Sequence, residues 1–384
     1  MPGSAALVEE ADAATAAGDL SRAEELLLKA GQAAPDDVTL RLKLAALQRA
    51  TGRPQAALAT VHQALALSPL DFTALLLRAS LLDRLKEPGA TEAWSHALAQ
   101  RPDGDLPPHL RSVVATAEAR VERWTAEREA RMKAAMADCE RDADPDQKRR
   151  IDRFRSNVLR QTRPYHSEPT HFHFPGLAER EFYPAAMFPW LSRLQDATDV
   201  IASEMEAVMA AERAELVPYV QYADHLPLDQ WRDLNHNLDW TAIHLMQNGK
   251  RIEANARFCP NTLEILAECG QPHIAEASPN AMFSLLAPKT SIPAHVGVNN
   301  ARLVCHLPLV VPDGCWFRVG AEIRHWERGE AFVFDDTIEH EAANPTDQLR
   351  VVFIFDVWHP DLSEVERNAV AALIEADGVP GGQL

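Results

Sequence analysis

Two histidines carry the strongest chemical signal in this chain. His295 lies in Pro293-Ala294-His295-Val296-Gly297, and His340 closes Phe334-Asp335-Asp336-Thr337-Ile338-Glu339-His340. The segments around both read as β-strands. Imidazoles converging from separate strands of a barrel could hold a divalent metal at its open end. Non-haem iron sites usually complete a facial triad with a carboxylate, two positions after the first histidine. Here that position is Gly297. One histidine on a strand is more often a packed side chain than a ligand, but Arg350 strengthens the pair. It precedes Val351-Val352-Phe353-Ile354-Phe355, a setting in which a guanidinium is buried and needs an anionic partner.

Short strands must position these groups. Arg302–Val311, Cys315–Val319, Ala331–Phe334 and Arg350–Trp358 alternate or run apolar, with Pro312-Asp313-Gly314 and Glu327-Arg328-Gly329-Glu330 as turns between them. That spacing predicts a sandwich or jelly roll. Upstream, the pattern predicts one amphipathic helix from near Pro189 through Ile201 and Met205 to Met209, packed outside the sheet. His171 and His173 form an HxH pair that alternation would place on one face. Lacking a nearby third ligand, they read as surface or packing histidines.

The first hundred residues are a different material: rich in Ala and Leu, nearly free of aromatics, and periodic. Gly18 and Gly52, Ala23 and Ala57, Ala30 and Ala64, and Pro35 and Pro69 are each 34 apart, and a third copy follows one residue short at Ala90, Ala97 and Pro102. Small residues let paired helices approach closely while Leu and Val bury one face. The period, the small residues and the closing proline resemble tetratricopeptide repeats. A charged stretch follows. Arg123, Glu127 and Arg131 are spaced for intrahelical ion pairs, the run reads as a solvated face, and a second helix is predicted over Gln147–Gln161 after a break at Pro145. The organisation expected is residues 1–105 as helical repeats, 106–163 as a charged helical connector and 164–384 as the β-domain.

Composition narrows the function. At 46% hydrophobic and 24% charged residues the chain is an ordinary globular protein. A net charge of −18 argues against nucleic acid, since phosphate binding needs a basic face. Five cysteines without a CxxC pair point to free thiols in a reduced compartment. With no basic, apolar leader at Met1–Glu10 and no run long enough for a membrane span, a cytoplasmic location is expected.

The stretch from Ala281 to Pro360 resembles the aspartyl/asparaginyl β-hydroxylase family of iron- and 2-oxoglutarate-dependent oxygenases. The runs that carry the likeness are Phe283-Ser284-Leu285-Leu286, His295-Val296-Gly297, Arg302-Leu303 with His306-Leu307, Phe334-Asp335-Asp336, Glu339-His340-Glu341, Arg350, and Asp356-Val357-Trp358-His359-Pro360. A weaker match extends upstream through His173-Phe174-Pro175-Gly176 to Cys259-Pro260. The family also has glycine in place of a metal carboxylate. The resemblance implies an α+β multidomain chain: a tetratricopeptide-like solenoid followed by a double-stranded β-helix with a metal at its open end. It implies Fe(II) on His295 and His340, with Asp336 orienting a metal-bound water. Arg350 would pair with the distal carboxylate of 2-oxoglutarate, aided by Ser284, while His306 would hold the 1-carboxylate.

One departure stands out. The family places an arginine two residues before the position of His306, reaching the co-substrate, and this chain has Val304 there. Arg302 shares a strand face with Val304 and is the candidate to substitute. The function expected is a 2-oxoglutarate-dependent hydroxylase acting on a peptide Asp or Asn, or a related amino acid, with a protein partner for the repeats. The competing readings are a non-catalytic repeat-plus-jelly-roll scaffold and a metal cupin enzyme that does not use 2-oxoglutarate.

Overall fold

A computed structural model describes residues 4–211, 216–223, 225 and 230–377, and the chain forms two compact units, Met1–Ala143 and Asp144–Leu384. The connector drawn from the sequence is thus divided between them at Ala143. No helix among the described residues is long and apolar enough to cross a membrane.

The first unit is helical: α1 (Ser4–Ala16), α2 (Leu20–Ala33), α3 (Val38–Ala50), α4 (Pro54–Leu67), α5 (Phe72–Leu85), α6 (Ala90–Leu98) and the long α7 (Pro108–Arg141). The period of 34 has a local cause at each boundary. Asp37 and Asp71 cap α3 and α5, accepting from the amides of Leu40 and Ala74. Ala23, Ala30, Ala57, Ala64 and Ala97 are fully buried where helices meet. Ala90 is only partly buried, because the third copy lacks its first turn and α6 begins there. Val114 and Ala117 tie α7 into the cluster around Trp94, and beyond them its charged face is largely solvated.

The turns between paired helices show how the third repeat departs. Gly18 (φ +81°), Gly52 (φ +76°) and Lys86 (φ +57°) occupy equivalent positions, all left-handed. Glycine adopts that conformation freely, whereas a residue with a Cβ is strained there by about 1 kcal/mol. Lys86→Gly is therefore expected to stabilise the first unit by about 1 kcal/mol, read as a higher urea midpoint at unchanged slope.

The second unit opens with α8 (Pro145–Val158), started by a capping box between Asp144 and Gln147. Among the described residues twelve strands follow: β1 (Phe182–Tyr183), β2 (Val217–Pro218), β3 (Trp240–Gln247), β4 (Lys250–Arg251), β5 (Ala281–Leu286), β6 (Thr290–His295), β7 (Arg302–Val310), β8 (Trp316–Val319), β9 (Glu322–His325), β10 (Phe332–Phe334), β11 (His340–Asn344) and β12 (Arg350–Trp358). The major sheet runs β1-β10-β7-β12-β5-β3-β2, with β4 on β3, and the minor sheet runs β6-β11-β8-β9. All named pairs are antiparallel.

Period-two alternation gives the major sheet two apolar faces. Phe283, Leu285, Leu303, Cys305, Leu307, Phe353 and Phe355 belong to a core shared with the helices α9 (Leu191–Asp196) and α10 (Thr198–Met209). Met282, Val304, Val352 and Ile354 join Ile292, Phe317 and Ala342 of the minor sheet in a second core. The functional groups lie between the two sheets.

The helix expected from Pro189 to Met209 is broken at Ala197. The Thr198 hydroxyl donates to the Gln195 carbonyl at 2.6 Å, diverting the backbone and restarting the helix. After the one-turn α11 (Glu253–Ala256), α12 (Pro260–Leu266) is anchored from α10. Buried Glu204 accepts from the Asn261 amide (2.9 Å) and Nδ2 (2.8 Å), and from the Thr262 amide (2.8 Å) and hydroxyl (2.6 Å). A carboxylate on the free amides of a helix start is favourable, and removing it leaves four donors without their acceptor. Glu204→Ala is expected to cost about 3 kcal/mol, measured by urea unfolding of the full chain. The last described helix is α13 (Glu364–Asp377).

Candidate active site

The ladder between β6 and β11 sets His295 directly opposite His340, with ring centroids 4.0 Å apart. Each imidazole turns one nitrogen back onto its own strand. His295 Nδ1 lies 2.7 Å from the Pro293 carbonyl and His340 Nδ1 lies 3.1 Å from that of Ile338. A carbonyl only accepts, so each Nδ1 carries the proton and each Nε2 keeps its lone pair for a ligand. Burial pushes both imidazoles below the ordinary histidine range, and the His295 ring presses His340 further down. Both are therefore neutral at physiological pH, the form that binds metal.

The role of Gly297 becomes visible here. Its amide donates to the Asp336 carbonyl at 2.6 Å. A Cβ at this position would stand 2.2 Å from Asp336 Oδ2 and 2.4 Å from its Cγ. The glycine is needed for space. The Asp336 carboxylate fills the volume into which a side chain at 297 would project. Asp336 is 4% exposed, and its Oδ1 has no hydrogen-bond partner among the described residues. Burial raises its pKa to about 6 against the opposing charge of Arg302. Among the described residues no three His, Cys, Asp or Glu side chains form a ligand cluster. What the strands bring together is a histidine pair, with Asp336 beside it.

His295, His340 and Asp336 line one end of a chamber whose wall also includes Ser284, His306 and Arg350. Arg350 is 1% exposed, and its Cζ lies 4.8 Å from the centre of the Trp326 ring. Its Nη1 reaches the Ser284 carbonyl and hydroxyl only at 3.4 Å, and its Nε is unpartnered. No carboxylate lies within ion-pairing distance of it among the described residues, and desolvation lowers its pKa to about 10. The Ser284 hydroxyl accepts from Trp240 Nε1 at 3.1 Å, leaving its own hydrogen to donate. His306 is wedged between Phe317 and Phe334, its Nδ1 is unpartnered, and burial followed by the Arg350 charge keeps it neutral. Trp326 Nε1 is likewise buried without a partner. Unsatisfied polar atoms are costly in a folded interior, so their grouping around one chamber marks a place for a polar ligand.

Two expectations need comment. Arg302 does not line this chamber. Its guanidinium lies 3.7 Å from Asp356 and borders a separate small cavity with Phe172, Ser278 and Ile374. The strand carries it roughly 7 Å beyond Val304, with Asp356 as its ion-pair partner, while its charge also opposes the rise in the pKa of the chamber carboxyl Asp336. Val304 stands in the wall as an apolar residue. His171 and His173 are exposed and lie off the chamber wall, as expected of surface histidines.

Aromatic residues that the sequence did not single out surround the histidine end, Tyr219 and Trp240 in the wall and Trp231 against His295. Tyr219 stacks on Trp240 at 3.8 Å between centroids and 8° between planes, and Trp231 meets the His295 ring edge-on at 5.0 Å. The available signal was local density: Tyr219, Tyr222, Trp231 and Trp240 fall close together in a chain with only 4 tyrosines and 8 tryptophans.

The fold and site together define a jelly-roll domain with a two-histidine centre at one end and a buried guanidinium at the other. Residues 195–360 match the model of the aspartyl/asparaginyl beta-hydroxylase family. The match lies within the second unit, which is similar to members of that family. It is 29% identical to the mouse aspartyl/asparaginyl beta-hydroxylase over 205 residues, which is 52% of this chain and 28% of that protein. It is 31% identical to the ornithine lipid ester-linked acyl 2-hydroxylase of Rhizobium tropici over 197 residues, 50% of this chain and 66% of that one. With the human aspartate beta-hydroxylase domain-containing protein 2 it shares 36% over 135 residues, 34% and 37% of the two chains. The chain thus spans only about a quarter of the mouse relative's length. The Sgt2 TPR domain from Aspergillus fumigatus aligns with 33% of this chain and 83% of its own, at 23% identity and a TM-score of 0.29. The repeat assignment rests on the helix pairs themselves.

Proposed function

We propose that the chain is an Fe(II)- and 2-oxoglutarate-dependent hydroxylase. The observation that carries this reading is the chamber. A buried guanidinium without a counter-ion among the described residues faces one end, and two imidazoles whose Nε2 atoms are left for a ligand face the other. The residues fit both groups. His295 and His340 offer neutral nitrogen, and Asp336 Oδ1, buried and unpartnered, suits a water on the ion. Arg350 and Ser284 suit a distal carboxylate, and His306 a proximal one.

When bound, the iron and co-substrate supply the O2 chemistry, converting 2-oxoglutarate to succinate and CO2 with one oxygen atom delivered to a C–H bond. The chain's own contribution is placement. Arg350 and Ser284 fix the far end of the co-substrate, and His306 steadies the near end. Asp336 Oδ1 accepts the proton of a water beside the imidazoles. The stacked Tyr219 and Trp240 exclude bulk water from that end. The substrate class we favour is a peptide Asp or Asn, or a related amino acid, with the repeat unit receiving a protein partner.

The test is O2-dependent conversion of 2-oxoglutarate to succinate by iron-loaded protein, beside His295→Ala and Arg350→Ala. Turnover abolished in both variants is the expected result. Absence of turnover together with absence of 2-oxoglutarate binding by the metal-loaded parent would overturn the reading in favour of a scaffold.

A further inference from the structure

With only two protein ligands, the affinity of the centre depends on how firmly the two imidazoles are held at a fixed separation. The strand ladder does not do this unaided. Its register is irregular between His340 and Ala342, beside the second ligand, and each histidine leads into or out of a loop. A third segment, residues 167–174, runs across both loops. On the His340 side the Glu168 amide donates to the Thr337 carbonyl at 2.8 Å. On the His295 side the Thr170 amide donates to the Gly297 carbonyl at 3.0 Å and the Phe172 amide to that of Val298 at 3.0 Å.

Buried side chains lock this crossing at each end. The Thr337 hydroxyl, fully buried, donates to Asp335 Oδ1 at 2.5 Å, so the Ser167 hydroxyl, 2.6 Å away, must be the donor to Thr337. At the far end Asn300 grips Phe174 in both directions. Its Oδ1 accepts from the Phe174 amide at 2.6 Å, and its Nδ2 donates to the Phe174 carbonyl at 3.0 Å. Asn300 is also buried. None of these groups faces the chamber as a ligand. All of them connect the backbone after His295 to the backbone before His340.

We propose that residues 167–174 form a strap whose two buried locks, Ser167–Thr337–Asp335 and Asn300–Phe174, set the spacing of His295 and His340 and thereby the affinity of the centre for a divalent ion. Thr337 and Asn300 are positioning residues. The inference rests on the metal reading above, and it does for a two-ligand centre what a third protein ligand does in a facial triad. Groups that orient metal ligands typically change metal affinity 10–100-fold when removed.

The experiment is titration of the full chain with Co(II), followed by visible absorption and by calorimetry, with no co-substrate or turnover involved. Thr337→Val and Asn300→Ala are expected to weaken Co(II) binding by about tenfold or more. Thr337→Ser, which restores the hydroxyl, should return affinity to within about threefold of the parent. Thermal midpoints read in parallel separate loss of affinity from loss of fold. Parent-like Co(II) affinity in Thr337→Val and Asn300→Ala would overturn the strap while leaving the metal reading intact. A parent that binds Co(II) no better than His295→Ala would overturn the metal reading and the strap with it. Should Thr337→Val fail to fold, Ser167→Ala decides the matter, since it removes only the strap's own hydroxyl. Weakened binding there supports the proposal and unchanged binding sinks it.

Discussion

Arg350→Met is expected to abolish the response to 2-oxoglutarate without destabilising the chain. Ordinarily, removing one partner of a buried ion pair is costly because the other charge is stranded. Arg350 strands nothing among the described residues, where no carboxylate pairs with it and its Nη1 contacts are long. Burial lowers its folded pKa from the ordinary guanidinium range to about 10, which means the fold disfavours the charged form. That penalty fades only as pH rises through about 10, so at neutral pH it is fully present, on the order of 3 kcal/mol. Methionine fills a similar volume with no charge to desolvate. In thermal melts of metal-loaded protein, added 2-oxoglutarate should raise the midpoint of the parent and leave the variant unmoved. The variant alone should melt no lower than the parent alone. A variant that melts several degrees lower and still responds to 2-oxoglutarate would make Arg350 a structural residue.

Gly297→Ala should be nearly as damaging, although it adds a single methyl group. The backbone at Gly297 has none of the left-handed character that would by itself exclude alanine. The whole effect therefore falls on Asp336, whose Oδ2 would lie 2.2 Å from the new carbon. Displacing that carboxylate removes the acceptor placed beside the two imidazoles, and a loss of turnover on the order of 100-fold is expected. The exchange Gly297→Asp with Asp336→Gly empties the contested volume and supplies an acid from the other side. Its Co(II) affinity should exceed that of Gly297→Ala. Parent-like succinate formation by Gly297→Ala would show that Asp336 has no part in the chemistry.

Much of the centre was legible because its groups are chemically conspicuous. His295, His340 and Arg350 are polar residues in apolar strand patterns, and such a residue must have a use or a partner. The repeats were legible because every boundary reuses the same local devices, an aspartate cap and a left-handed turn. What remained hidden is what only distant parts of the chain decide. Same-face arithmetic correctly aligned Arg302 with Val304, but the ion-pair partner of Arg302, Asp356, stands on a neighbouring strand. Tyr219 and Trp240 enter the wall through the β2–β3 pairing, which places Val217 opposite Ala242, and no periodicity announces it. The break at Ala197 turns on one hydroxyl, Thr198, against which the amphipathic pattern on either side gave no warning. The locks at Thr337 and Asn300 join residues more than a hundred positions apart.

The aromatic lining gives the chamber an optical address at each end. Trp231 and Trp240 lie 5.0 and 6.4 Å from the His295 ring, whereas Trp326 lies under the Arg350 guanidinium. An absorbing ion at the histidines meets the first pair at close range and quenches their emission, while an anion drawn to the guanidinium alters the surroundings of Trp326. Occupancy of the two ends can therefore be followed separately in the unlabelled protein, by replacing Trp231 or Trp326 with phenylalanine in turn and watching which part of the fluorescence change is lost.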